Sequence, residues 1–394
     1  MINGTFVAPD PFKSLVLRIV IRRSRRATGA AVLSARACHK RRLVSWYQQM
    51  ILRPNSSERQ RRTLASSVTA TTVVPVPTWL RGAVRDTQSA AARVFDPDTV
   101  AEVALAAGAA LGALDAVVRR EAGWAGAWRQ RLALAAAAVT ARQAGRVEDE
   151  GQLRDAVLLT HHGDFLSVGP AGRMLLAWRR LATRPVADLL TMASLAAVLE
   201  EFGHVRSDKA LNDLTQELRQ LRASAGTVEM LTGAFMAAER HSFDRGFGSW
   251  LADALLAQRL GWTYAVPLLG SEADLGVLRR VRRLASASTP AEVETRSDLA
   301  KGLLVAKARA ALRAIDLSAD LGRRAERLLA VAPKLRAKAA DIVVEKLLFE
   351  DAIVPSEKIA GMSDRGLRRL FDRLVQLDAV RELTGRPTFR IYGL

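Results

Sequence analysis

Apolar residues recur at helical intervals along most of the chain. Residues 96–120 read DPDTVAEVALAAGAALGALDAVVRR, apolar or small at most positions up to Val118, with Asp98 placed as an N-cap. Beyond a Gly-Trp turn, Trp128, Leu132, Ala135, Ala136 and Val139 share one helical stripe that Gly145 ends. GPAGRMLLAWRRLA opens another helix, with Pro170 tolerated in its first turn. Residues 186–223 form a long amphipathic stretch interrupted at 203–207, and residues 289–332 read as one or two further helices. No repeat recurs at a spacing of about 30 to 50 residues.

The last part of the chain has a different pattern. AADIVVEKLLFED reads as one helix and VPSEKIAG as a second, short one. MSDRGLRRLFDRLVQLDAV reads as a third, N-capped by Ser363. In it Leu367, Leu370, Phe371, Leu374 and Leu377 fall on one face, and Arg365, Arg368, Arg369 and Arg373 lie away from it. VRELTGRPTFRIYG then pairs strand formers (Val380, Leu383, Phe389, Ile391) around Gly385, which suits a turn position with positive φ. Three helices and a hairpin predict a winged helix-turn-helix, with Arg386 at the wing tip and Arg390 beside it. Such a module sets the start of its third helix against base edges and its wing arginines against the DNA backbone. The expected fold class is therefore mainly α: a multi-helix bundle body at 74–332 and a winged helix at 333–394.

Composition narrows the function classes. The single cysteine, Cys38, excludes a disulfide framework and a cysteine zinc site, and the pair His161-His162 reads as a polar turn. Net charge is +19, but residues 1–67 hold 14 Lys/Arg against Asp10 and Glu58, a net of +12 that leaves +7 for the rest. Residues 1–73 are therefore expected to be a basic disordered arm, a transit segment or the product of an upstream start codon. Residues 101–118 carry Glu102 and Asp115 and are too short and polar for a membrane span, and no secretory signal is evident, so cytoplasm is the expected compartment. No Walker loop, dinucleotide fingerprint or nucleophile elbow is present.

The segments GAALGALDAVVRREAGWAGAWRQRLAL, LAQRLGW and FDRLVQLDAVRELTGRPTFRIYGL resemble an uncharacterised bacterial family, domain of unknown function family 1403, over most of residues 75–394. More distantly, the order of parts resembles Fic-domain proteins, whose motif is His-Pro-Phe-x-Asp/Glu-Gly-Asn-Gly-Arg. The corresponding residues here are HSFDRGFGS, 241–249. That resemblance implies a nucleotidyl transferase in which the His is the base, the acid holds Mg²⁺, the glycines cradle phosphate at a helix N-terminus and the Arg neutralises it. His241, Phe243, Gly246 and Gly248 match. Arg245, Phe247 and Ser249 stand where the acid, Asn and Arg belong, and Asp244 is an acid displaced by one position. The implied body is Fic-like but catalytically degenerate, with His241 and Asp244 as candidate catalytic residues and Gly246 and Gly248 as candidate phosphate contacts.

The leading expectation is a non-enzymatic regulatory protein that binds double-stranded DNA through Ser363, Arg365, Arg368, Arg369, Arg373, Arg386 and Arg390, with no metal and no cofactor. The alternatives are a divergent nucleotidyl or phosphoryl transferase acting through His241 and a protein-binding scaffold. Expected partners are DNA, with a protein partner or a second copy of the chain also admitted, and no membrane.

Overall fold

Alanine sets how the helices pack. The computed structural model describes residues 75–91, 97–160, 167–204, 207–224, 226–272, 291–337, 339–386 and 388–394. The expectations for residues 1–73 and for His161-His162 lie outside these. Thirteen α-helices and a two-stranded sheet form among the described residues. They are α1 (Thr78–Ala91), α2 (Pro97–Arg119), α3 (Ala125–Gln143), α4 (Glu150–Leu158), α5 (Gly169–Thr183), α6 (Val186–Leu189) and α7 (Met192–Glu201). Then follow α8 (Asp208–Ser224), α9 (Thr227–Arg240), α10 (Arg245–Leu260), α11 (Ala291–Val331), α12 (Ala340–Phe349), α13 (Asp364–Gln376), β1 (Arg381–Glu382) and β2 (Tyr392–Gly393). The mainly α expectation holds.

Helix α3 lies at the centre. Thirteen of its nineteen residues are buried, on all sides rather than on the expected single stripe. Ala133, Ala136, Ala137, Ala138 and Ala141 offer only methyl groups, so α4, α5, α11 and α12 pack around it. Of the one or two helices expected over residues 289–332 there is one, the 41-residue α11, which runs along α2. Asp98 falls inside the first turn of α2, because the helix already begins at Pro97, whose fixed φ suits that position.

Two buried ionic groups tie these layers together. Asp253 of α10 pairs with Lys307 of α11, both side chains fully buried, and accepts the Leu268 N–H at 2.7 Å and the Leu269 N–H at 3.0 Å. Burial presses each partner toward its neutral form, raising Asp253 and lowering Lys307, and the opposite charge counters that in both. One carboxylate thus holds α11 and the backbone at 268–269 against α10.

The second group is Asp351, directly after α12. Its Oδ2 accepts from Arg154 Nε at 2.7 Å, Arg131 Nε donates to its Oδ1, and its backbone carbonyl accepts from Arg131 at 3.2 Å. Beside it, Gln130 donates to the Phe349 carbonyl at 3.1 Å. A Cβ at Gly126 would stand 2.8 Å from Phe349 Cα, so only glycine lets α3 approach α12 this closely. Tail and body share one hydrophobic core, and residues 70–394 form one compact unit.

Within the tail, the short second helix expected at 354–361 does not form. Two isolated turn bonds, Glu357 N to Val354 O at 3.1 Å and Met362 N to Ile359 O at 3.1 Å, take its place. Pro355 lacks an N–H and Gly361 has φ +81°, leaving too few residues to repay helix nucleation. The chain instead extends Ile353 into a bridge with Tyr392, through bonds of 2.8 and 2.9 Å. Tyr392 also pairs with Glu382, and Arg381 with Gly393, so β2 lies between Ile353 and β1. Gly385 takes the expected positive φ, +63°.

Burial alone would push the Asp351 carboxyl up, but Arg131 and Arg154 outweigh it and hold it below the ordinary carboxylate range. Its stabilisation is therefore complete above the unfolded value of about 4 and is lost as pH falls through the lower folded value. Asp351→Asn is expected to cost about 3–5 kcal/mol at neutral pH. It should also flatten the decline in stability below about pH 4, measured as urea midpoints across a pH series.

Candidate nucleic-acid interface

The two faces of α13 are made from alternate turns of one sequence. Ser363 Oγ accepts the Gly366 N–H at 3.2 Å and starts the helix. Leu367, Leu370, Phe371 and Leu374 are buried, and Phe371 stacks on Tyr392 with ring centroids 4.4 Å apart. That contact fixes the rotation of α13 against the hairpin. Arg365, Arg368, Arg369 and Arg373 are consequently exposed, and none has an ion-pair partner among the described residues. They span about 12 Å of helix, from a rise of about 1.5 Å per residue. The Ser363 hydroxyl is engaged as the helix cap.

The hairpin departs from expectation at its tip. Arg386, expected at the wing tip, pairs with Asp155 of α4 at 2.7 Å, because the docked tail brings the turn down onto the body. Arg390 is half-exposed and lies 4.0 Å from Asp372 of α13. Phe389, expected to be a strand former, is 69% exposed and has φ +58°. Sequence reasoning missed it as a surface feature, because an aromatic two residues from Ile391 reads as part of a strand.

Residues 241–244 turn from α9 into α10, and residues 245–249 are the first turn of α10. His241 ends α9, its Nε2 3.4 Å from Glu217 Oε2 and its ring stacked on Phe243. Asp244 caps α10: its Oδ1 accepts the Phe247 N–H at 2.8 Å, and its Oδ2 lies 2.8 Å from His204 Nε2. The N-terminus that an anion would need is thus already met by the chain's own carboxylate. A Cβ at Gly246 would collide with Thr140 Cγ2 and stand 3.2 Å from Phe202, and one at Gly248 would stand 3.1 Å from Phe235. The glycines allow close helix packing, and the turn brings His241, Phe243 and Asp244 together, with the Phe243 ring also against Phe247. Elsewhere, a depression of about 190 Å³ is lined by Val118, Arg119, Glu121, Gly261, Trp262 and Thr263. It is smaller than the roughly 300 Å³ of ordinary ligand sites. Its polar groups are engaged, Arg119 with Asp115 at 2.7 Å and Trp262 with Asp115 at 2.8 Å.

The sequence profile of the family described as Protein of unknown function (DUF1403) matches residues 65–394. The chain belongs to the DUF1403 family. The match takes in every helix described above and both strands, so the DUF1403 unit includes the tail as well as the body. No curated protein and no solved structure matches the chain.

Gly246→Ala tests whether the turn in this DUF1403 chain is filled. Overpacking against Thr140 is expected to cost about 1–3 kcal/mol in urea unfolding. An unchanged or raised stability would mean that the turn has room to spare.

Proposed function

We propose that this protein binds double-stranded DNA through the outer face of α13, with Arg390 and the hairpin touching the backbone beside it, and that its role is regulatory rather than enzymatic. The observation that carries this reading is the set of four exposed arginines on α13, free of ion-pair partners among the described residues, opposite a fully buried apolar stripe. A helix of this kind fits the major groove, and unpaired guanidiniums are the groups that phosphates and guanine edges attract.

The tail supports a winged-helix-like module: α12, an extended residue at Ile353, α13, and a hairpin whose second strand lies between Ile353 and the first. It lacks the middle helix of a full helix-turn-helix. Arg386 is tied to Asp155, which leaves Arg390 as the wing cation nearest α13. The Fic-like transferase reading draws on His241, Phe243, Gly246 and Gly248, and its geometry is weak. Asp244 is committed to capping α10 and Gly246 to packing.

Fluorescence anisotropy with a mixed-sequence duplex, repeated across salt concentrations, tests the proposal. Replacing Arg365, Arg368, Arg369 and Arg373 by alanine should weaken binding by about 100-fold or more and reduce the slope of log K against log salt by roughly 3 to 4. Unchanged affinity and slope would remove α13 as the contact. A wild-type protein that binds no duplex at low salt would overturn the DNA reading and favour a protein partner.

A further inference from the structure

Helix α2 is apolar on both faces. Its inner face buries Val103, Ala106, Ala107, Ala110 and Leu114 where α1 and α11 pack. The outer face should be polar in a surface helix, yet Ala101, Leu105, Gly108, Gly112 and Ala116 stand exposed along it, Leu105 at 71%. Residues Val100–Arg119 have a mean hydropathy of 1.7, and only 28% of that apolar window is buried. A Cβ added at Gly108 or Gly112 would meet nothing within 4 Å, so neither glycine is explained by packing within the chain. A contiguous apolar face of this kind marks a surface that something covers.

The charges at its two ends indicate what. Glu102 and Arg120 are exposed and have no ion-pair partner among the described residues. They are 18 positions apart, about five turns at 3.6 residues per turn, with Arg120 the first residue past the helix end and its N–H still bonded to the Val117 carbonyl at 3.3 Å, and so lie near the same edge of the outer face. We propose that this face packs antiparallel on the same face of a second copy of the chain, about a two-fold axis near the middle of α2. The reversal brings Glu102 of each copy to Arg120 of the other, twice per dimer. It also sets the Leu105 side chain at the level of position 117 of the other copy, beside the small side chain of Ala116, and brings Gly112 of the two copies within about 3 Å of the same level near the axis. A parallel arrangement would oppose Glu102 to Glu102. Insertion into a bilayer would require α2 to leave α1 and α11, and would expose the Asp115 that Arg119 and Trp262 hold at 2.7 and 2.8 Å. A two-fold contact is also the commonest symmetry of soluble oligomers. This inference is independent of the DNA reading.

Sedimentation velocity of the full chain from about 1 to 200 μM tests it, since a single helix pair gives a dissociation constant of micromolar order. The wild type should pass from monomer to dimer over that range. Leu105→Glu should be monomeric, while circular dichroism shows that it keeps its helix content. Glu102→Arg and Arg120→Glu should each raise the dissociation constant about tenfold, through the two edge pairs each disrupts. The double variant Glu102→Arg/Arg120→Glu should return it to within about threefold of wild type, because the swapped charges meet again across the axis. A wild type that stays monomeric throughout overturns the proposal. So does a double variant no better than the singles, or a monomer that instead floats with phosphatidylcholine–phosphatidylglycerol vesicles.

Discussion

A buried carboxylate, Asp351, decides where the last part of the chain lies. Removing such a group from water costs several kcal/mol, and only guanidiniums placed at hydrogen-bond distance offset that cost. Arg131 comes from α3 and Arg154 from α4, so the carboxylate is compensated only when the tail rests on both helices. The position of Asp351 then fixes Ile353, the Ile353 bridge fixes β2, and Tyr392 in β2 fixes α13 through the stack on Phe371. The arginine face of α13 inherits its direction from that sequence of contacts. A close approach of α3 and α12 at Gly126 completes the seam.

The body builds its core with few aromatic residues. Phe, Trp and Tyr make up 5% of the chain, and the interior is filled by alanine-lined helices at close separation with Trp128, Trp178 and Trp250 as the large pieces. Each of these indoles donates a hydrogen bond, Trp128 to the Ala314 carbonyl at 2.8 Å and Trp250 to the Ala177 carbonyl at 3.0 Å, for example. Small side chains specify neighbours poorly, and buried polar pairs supply what they lack. Asp253 with Lys307 and Arg180 with Glu201 each join segments distant in sequence, and mispairing any of them would leave a charge uncompensated. A body held this way presents α13 as part of a single unit, which suits the proposed contact with a rigid duplex.

Much of this was legible in the sequence where local rules act. Helical period, the Ser363 cap, the Gly385 turn and the separation of leucine from arginine on α13 all depend on spacing within a few residues. What was not legible depends on partners far along the chain. Asp351 looked like the end of a helix, and only the fold sets it between Arg131 and Arg154. Residues 354–361 looked like a short helix, and the bridge from Ile353 to Tyr392 takes their backbone elsewhere. At 241–249 the spacing of histidine and glycine resembled a phosphate site. The same glycines serve close packing against Thr140 and Phe235, a distinction that needs the neighbours' positions. The ion pair of Arg386 with Asp155 was not legible either, because Asp155 lies over 200 residues upstream.

Hydrogen–deuterium exchange of the full chain, with and without a DNA duplex, tests most directly whether α13 is the surface that meets a partner. The account predicts added protection concentrated at residues 364–376 and 388–390, with α3 and α12 unchanged because their seam is already closed. Protection confined to other helices, or loss of protection along the α3–α12 seam on binding, would contradict it.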